Sequence, residues 1–168
     1  MASQSGDCDG DADCPGQACV EVTPGGFRTC TTTPTPSANC AKACPPDSEC
    51  FEEFGYCGGI VGPMAQCYAD ECQLDSDCGG SAICADAGVL DRPVNLCMPT
   101  GCKVDTDCKA EPGGVCAPVD SPCCGIIEGL YCVYPSTGCR HDSDCPAGYC
   151  ANDGTKSMCM PGKAPCPI

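Results

Sequence analysis

Three sets of residues in this sequence are capable of chemistry: 24 cysteines, one histidine and 23 acidic side chains. Cysteine chemistry divides into thiolate work and disulfide formation, and spacing separates the two. Zinc and iron–sulfur sites need two thiolates close enough to share an ion, hence CxxC and CxC pairs. Neither pattern occurs; the tightest pairs are Cys123–Cys124 and Cys40-x3-Cys44. One cysteine per seven residues in a small chain therefore marks a disulfide scaffold and an oxidising compartment. An oxidised cysteine has no thiolate, so it is neither nucleophile nor ligand. His141 adjoins Asp142 and Ser143, but neighbours in sequence do not face one another as a triad does. No catalytic residue is expected, and the chain reads as a non-enzyme with no cofactor.

Around these residues the chain repeats itself. Five segments read Cys-x-x-Asp-x-(Asp/Glu)-Cys: CDGDADC (8–14), CPPDSEC (44–50), CQLDSDC (72–78), CKVDTDC (102–108) and CRHDSDC (139–145). A third and a fourth cysteine follow each pair. The position of His141 is Gly10, Pro46, Leu74 and Val104 in the other repeats, as an exposed loop position would allow. The predicted organisation is an N-terminal tail 1–7, repeats at 8–30, 44–67, 72–97, 102–132 and 139–166, and a Thr/Pro linker at 31–43. Cys40, Cys123, Cys124 and Cys166 fall outside the repeated set.

Each unit is too short to bury a core and needs staples. Leu, Ile, Val and Phe number only 21 and Trp is absent, while the net charge is −15. Such a composition reads as disordered unless cross-links hold it. A bridge contributes roughly 2–4 kcal/mol, so cross-linking outweighs packing. The fold expected is small and disulfide-rich: five tandem cysteine-stapled units of short β-hairpins and turns, with very little helix and no large core, strung as an elongated or bent rod. The stretch 149–159, with Asn152-Asp153-Gly154 at its centre, reads as a hairpin. A turn or two of helix is expected near Ser48–Phe54. The stretch TTTPTPS (31–37) reads either as a stiff extended spacer suited to O-linked sugar or as a plain surface loop clipped by Cys30 and Cys40.

The recurring acids are expected to act locally. The first of each pair (Asp11, Asp47, Asp75, Asp105, Asp142) should accept from a backbone N–H one to three residues on and cap the loop, leaving the second exposed. A lesser reading gives Asp7, Asp9, Asp11 and Asp13 to calcium. An EF-hand loop starting at Asp9 would need Glu at its twelfth position, which is Val20. The acidic balance disfavours nucleic acid and anionic membrane, which call for Lys and Arg clusters, and favours a basic protein surface. No run of 18 apolar residues is present. The first 20 residues lack a basic and apolar leader, so a mature secreted or cell-surface chain with its signal peptide removed is expected.

The unit Cys-x5-Cys-x(4–7)-Cys-x(8–15)-Cys, with links such as CMPTGC (97–102) and CMPGKAPC (159–166), resembles the cysteine-rich modules of the dickkopf, prokineticin and colipase group. The recurring Asp-x-Asp-Cys is similar to tandem repeats in secreted proteins of myxobacteria. CAPVDSPCCGIIEGLYC (116–132) resembles part of a knottin toxin. The resemblance implies a crossed pairing, first cysteine with third and second with fourth: Cys8–Cys19, Cys14–Cys30, Cys44–Cys57, Cys50–Cys67, Cys72–Cys84, Cys78–Cys97, Cys102–Cys116, Cys108–Cys132, Cys139–Cys150 and Cys145–Cys159. Of the rest, Cys123 or Cys124 would join Cys166 or Cys40.

Apolar residues gather in three inter-cysteine loops: Ile60 and Val61; Leu90 beside Arg92; and Ile126, Ile127, Leu130 and Tyr131. They either pack between units or form constrained binding loops, which lose little entropy on contact. The functional expectation is a structural, adhesive or protein-binding role, with a protein partner or self-assembly. The alternatives are a secreted ligand or protease inhibitor acting through Leu90 or Arg92, and a weak calcium-binding module.

Overall fold

A computed structural model describes residues 7–54, 63–90, 92–123 and 126–166. Five two-stranded antiparallel hairpins follow one another along the chain: β1 (Cys19–Glu21) with β2 (Arg28–Cys30), β3 (Glu49–Phe54) with β4 (Pro63–Tyr68), β5 (Ile83–Ala85) with β6 (Leu96–Met98), β7 (Val115–Asp120) with β8 (Ile127–Val133), and β9 (Gly148–Asn152) with β10 (Ser157–Pro161). The only helical pieces among the described residues are four single 3-10 turns, Asp11–Asp13, Asp75–Asp77, Asp105–Asp107 and Asp142–Asp144.

One rule organises all five units. The third and fourth cysteines face each other across the hairpin: Cys19 and Cys30, Cys50 and Cys67, Cys84 and Cys97, Cys116 and Cys132, Cys150 and Cys159. They do not bond to each other. Each bonds instead to a cysteine upstream of the hairpin, so the preceding loop is laid across both strands. The bridges are Cys8–Cys19 and Cys14–Cys30, Cys72–Cys84 and Cys78–Cys97, Cys102–Cys116 and Cys108–Cys132, and Cys139–Cys150 and Cys145–Cys159. Cys123 joins Cys166.

The second unit departs from the expected pairing. Its bridges are Cys40–Cys50 and Cys44–Cys67, not Cys44–Cys57 and Cys50–Cys67. Cys50 and Cys67 hold the facing positions on β3 and β4, which makes Cys44 the second cysteine and Cys40 the first. Cys40 thus belongs to the unit rather than to the linker. The crossed order survives; the alignment on Cys-x5-Cys does not. Residues 49–54 form a strand, not a helical turn, because pairing with β4 sets the backbone there. Cys57 and Cys124 lie outside the described residues, as do Ile60 and Val61.

Hydrophobic packing is small but crosses between units. Phe27 of the first unit, Ile83, Val89, Leu90 and Met98 of the third, and Ala117 and Leu130 of the fourth share one buried cluster. Successive residues of a strand point to opposite faces, and β8 uses both. Leu130 enters that cluster, while Tyr131 packs with Val119, Cys139, Cys145 and Cys150 in a second one. The outer edge of β8 is also occupied. The Leu130 amide donates to Pro99 O (3.2 Å), the Gly101 amide to Leu130 O (2.7 Å), and the Cys132 amide to Thr155 O (3.1 Å). The fourth hairpin is therefore a hub, and the expected rod with few contacts between distant units is replaced by units gathered around it. Close approach enforces glycine at one such junction. The Thr32 amide donates to Gly88 O, and a Cβ on Gly88 (φ +81°) would stand 2.2 Å from Thr32 O.

The staples differ in access. Cys102, Cys108, Cys116 and Cys132 are buried, whereas Cys40, Cys44 and Cys50 are half-buried and Cys67 is exposed. Thiol exchange requires an attacking thiolate to reach a sulfur. Under limiting reductant, alkylation followed by peptide mass spectrometry should label Cys40, Cys44, Cys50 and Cys67 before the four cysteines of the hub. Simultaneous or reversed labelling would contradict this packing.

Candidate functional site

The recurring acids carry out two jobs, and not in the expected order. In four of the five units the first acid reaches across the unit to the backbone amide of the third cysteine. Asp11 Oδ1 accepts from Cys19 N (2.8 Å), Asp75 from Cys84 N (3.0 Å), Asp105 from Cys116 N (2.9 Å) and Asp142 from Cys150 N (2.9 Å). These partners lie eight to eleven residues on, not one to three. The second acid caps its own turn by reaching backwards. Asp13 Oδ2 accepts from Asp9 N and Gly10 N, Asp77 from Gln73 N and Leu74 N, Asp107 from Lys103 N and Val104 N, and Asp144 from Arg140 N and His141 N. Each Asp-x-Asp therefore docks the opening loop on its hairpin and also closes that loop.

Asp47 has no such role. Its backbone is left-handed (φ 63°) in a turn held by Ser48, whose amide and hydroxyl both donate to Pro45 O. The second acid of that segment, Glu49, lies in β3. The amides it would need are those of Pro45 and Pro46, and proline has no N–H.

The protonation behaviour follows from these bonds. The Cys84 amide, and after it the Lys103 ammonium, hold Asp75 below the ordinary carboxylate value. The amides of Gln73 and Leu74 do the same for Asp77, and those of Lys103 and Val104 for Asp107. At Asp144 partial burial pulls upward, but the amides of Arg140 and His141 outweigh it. Asp153 falls to about 2, bonded by the Lys156 amide and by the Thr155 hydroxyl and amide at the β9–β10 turn.

The calcium reading at the N-terminus lacks a geometry. Asp11 and Asp13 are committed to amides, and Asp7 Oδ1 faces Arg140 Nη1 at 3.4 Å. Among the described residues, the clusters tight enough for a metal are all made of bridged cysteines, such as Cys102, Cys108 and Cys132. Their sulfurs are not thiolates, and a thiolate is the ligand a metal takes.

A concavity of about 640 Å³ opens where residues of all five units meet the Thr/Pro stretch. Its walls carry Phe51, Pro93 and Ile126 with Arg92, Arg140 and His141. These last three side chains serve as internal ties. The Arg140 guanidinium lies over the Phe27 ring (5.2 Å to the centroid), and its Nε donates to Pro118 O (3.2 Å). His141 Nδ1 is 2.6 Å from Asp120 Oδ2, and Asp120 N donates to Arg140 O (2.9 Å). Arg92 Nη2 donates to Ile127 O. His141 thus pairs with Asp120 from the fourth unit rather than with the side chains of its own neighbours. Sequence reasoning missed Asp120 and Arg140, which carry no local motif.

Two of the three expected binding loops turn largely inward, and Ile60 and Val61 of the other lie outside the described residues. Leu90, Leu130 and Tyr131 are buried, Ile127 and Arg92 are half-buried, and only Ile126 of the described candidates is exposed. An inhibitor acting through Leu90 or Arg92 is therefore not supported. Leu90 is a core residue with a left-handed backbone (φ 52°), and Arg92 holds the fourth hairpin.

No protein-family model matches the chain, and no solved structure does. Among curated proteins it is similar to disintegrin and metalloproteinase domain-containing protein 10 of Bos taurus, at 35% identity over 118 residues. The match takes in 67% of this chain and 13% of the relative, so the chain spans only a small part of that protein's length. Fold, bridges and similarity together define a disulfide-rich module of extracellular type. Among the described residues no helix is long and apolar enough to cross a membrane.

Two substitutions test the acid pairs. Asp105→Ala leaves the amide of fully buried Cys116 without its acceptor, which should cost about 1–3 kcal/mol and lower the Tm by several degrees. An unchanged Tm would show that the bond is incidental. Asp107→Ala should destabilise at neutral pH. A carboxylate with a depressed folded pKa contributes stability above its unfolded value, 3.8, and loses it as pH falls through the folded value. The Tm gap between this variant and the parent should narrow steadily below that pH. A constant gap down to about pH 2 would contradict the assignment.

Proposed function

We propose that this chain is a secreted, non-enzymatic disulfide-rich repeat protein with a structural or protein-binding role at or outside the cell surface. The observation that carries the reading is the crossed pair of bridges in all five units, with no free cysteine among the described residues. Such a chain keeps its shape where proteases are present and reductants are not. The Asp-x-Asp side chains of four units are spent on backbone amides, and Arg92, Arg140 and His141 tie units together. This arrangement suits a rigid spacer or presenting surface better than a reaction site. Similarity to a stretch of a disintegrin and metalloproteinase protein supports the protein-contacting side of the reading.

The partner is another protein or a second copy. With a net charge of −15, the surface favours a basic face, and such an attraction weakens with salt.

The purified oxidised chain should survive trypsin and subtilisin at least about tenfold longer than the reduced and alkylated chain, because cleavage tracks the opened population. It should also either self-associate by light scattering or bind basic protein surfaces in a salt-sensitive way. Equal digestion rates, or a monomer that binds no basic protein at low salt, would overturn the proposal.

A further inference from the structure

The Thr/Pro stretch between the first and second units offers five hydroxyls: Thr31, Thr32, Thr33, Thr35 and Ser37. Three are already engaged. Thr31 Oγ1 accepts from Ala18 N (3.1 Å), and Thr32 Oγ1 donates to Gly88 O (3.2 Å). Ser37 Oγ donates to Glu52 Oε1 (2.9 Å) and accepts from Asn39 N (3.1 Å). Thr33 and Thr35 differ. Both side chains are exposed, neither hydroxyl has a hydrogen bond within the described residues, and each residue directly precedes a proline. Proline biases the residue before it towards extended backbone. Residues 31–36 indeed form neither helix nor strand, and their peptide bonds are trans.

We propose that Thr33 and Thr35 are O-glycosylation sites, and that Thr31, Thr32 and Ser37 are not. A glycosyltransferase must take an acceptor hydroxyl into its own active site together with several residues of extended chain, and a hydroxyl held in internal bonds resists that. The donor is a nucleotide-activated sugar. The threonine Oγ lone pair forms the new bond to the anomeric carbon, the nucleoside diphosphate departs with the electrons of the broken bond, and the hydroxyl proton passes to a transferase base or the leaving phosphate. Sugar at these positions also shields the stretch that lies outside the paired strands.

The site rests on the extracellular reading above, because the transfer occurs on exported chains. The full chain, secreted from a eukaryotic host with O-glycosylation, is digested and fragmented by electron transfer. Hexose or N-acetylhexosamine should appear on Thr33 and Thr35 and be absent from Thr31, Thr32 and Ser37. The double variant Thr33→Val, Thr35→Val should lose the added mass while retaining fully oxidised cysteines. A secreted chain bare at both threonines, or sugar placed instead on the three engaged hydroxyls, would overturn the proposal. Either result leaves protease resistance, and so the proposed function, to be judged separately.

Discussion

The structure depends on a single constraint: two facing cysteines on a hairpin must find partners outside it. A direct bond across the strands would only restate the pairing the strands already have. Bonding both to the preceding loop encloses chain segments of 11 and 16 residues in the first unit and 14 and 24 in the fourth. Long closures restrict the unfolded chain more than short ones. The loop is thereby locked over the hairpin, and a unit of about thirty residues acquires a fixed shape with almost no core of its own.

The aspartates complete this clamp. Two cysteines with five residues between them leave just enough chain for one 3-10 turn, and the Asp-x-Asp within it supplies what the turn lacks. The second acid satisfies the two amides that enter the turn. The first acid fastens the turn to the amide of the third cysteine, the residue whose sulfur the loop also holds. Covalent and polar contacts thus converge on one strand position in four of the five units. Between units the ties are of other kinds. They comprise a shared apolar cluster around Phe27 and Leu130, backbone bonds along β8, and the Arg140 and His141 contacts to Pro118, Phe27 and Asp120.

Much of this is legible in the sequence, because cysteine spacing and turn residues are local signals. The hairpin about Asn152-Asp153-Gly154 and the near-absence of helix follow from them. The second unit departs from the Cys-x5-Cys alignment, although its signal is present. Pro45 and Pro46 occupy the two positions whose amides the second acid needs, and Glu replaces Asp at position 49. A motif that requires two N–H donors cannot form where both are proline. The roles within the acid pair were reversed for a different reason: the partner of the first acid lies beyond the local window, on a strand that only the bridges bring near. Long-range neighbours such as Asp120 with His141, or Thr32 with Gly88, depend on how the units gather round the fourth hairpin. No periodicity in the sequence encodes that.

The most direct test is disulfide mapping of the native, unreduced protein by proteolysis and mass spectrometry. The second unit is decisive, since its cysteines admit two readings. The account predicts peptides linked Cys40–Cys50 and Cys44–Cys67. Peptides linked Cys44–Cys57 and Cys50–Cys67, or free thiols among these residues, would contradict it.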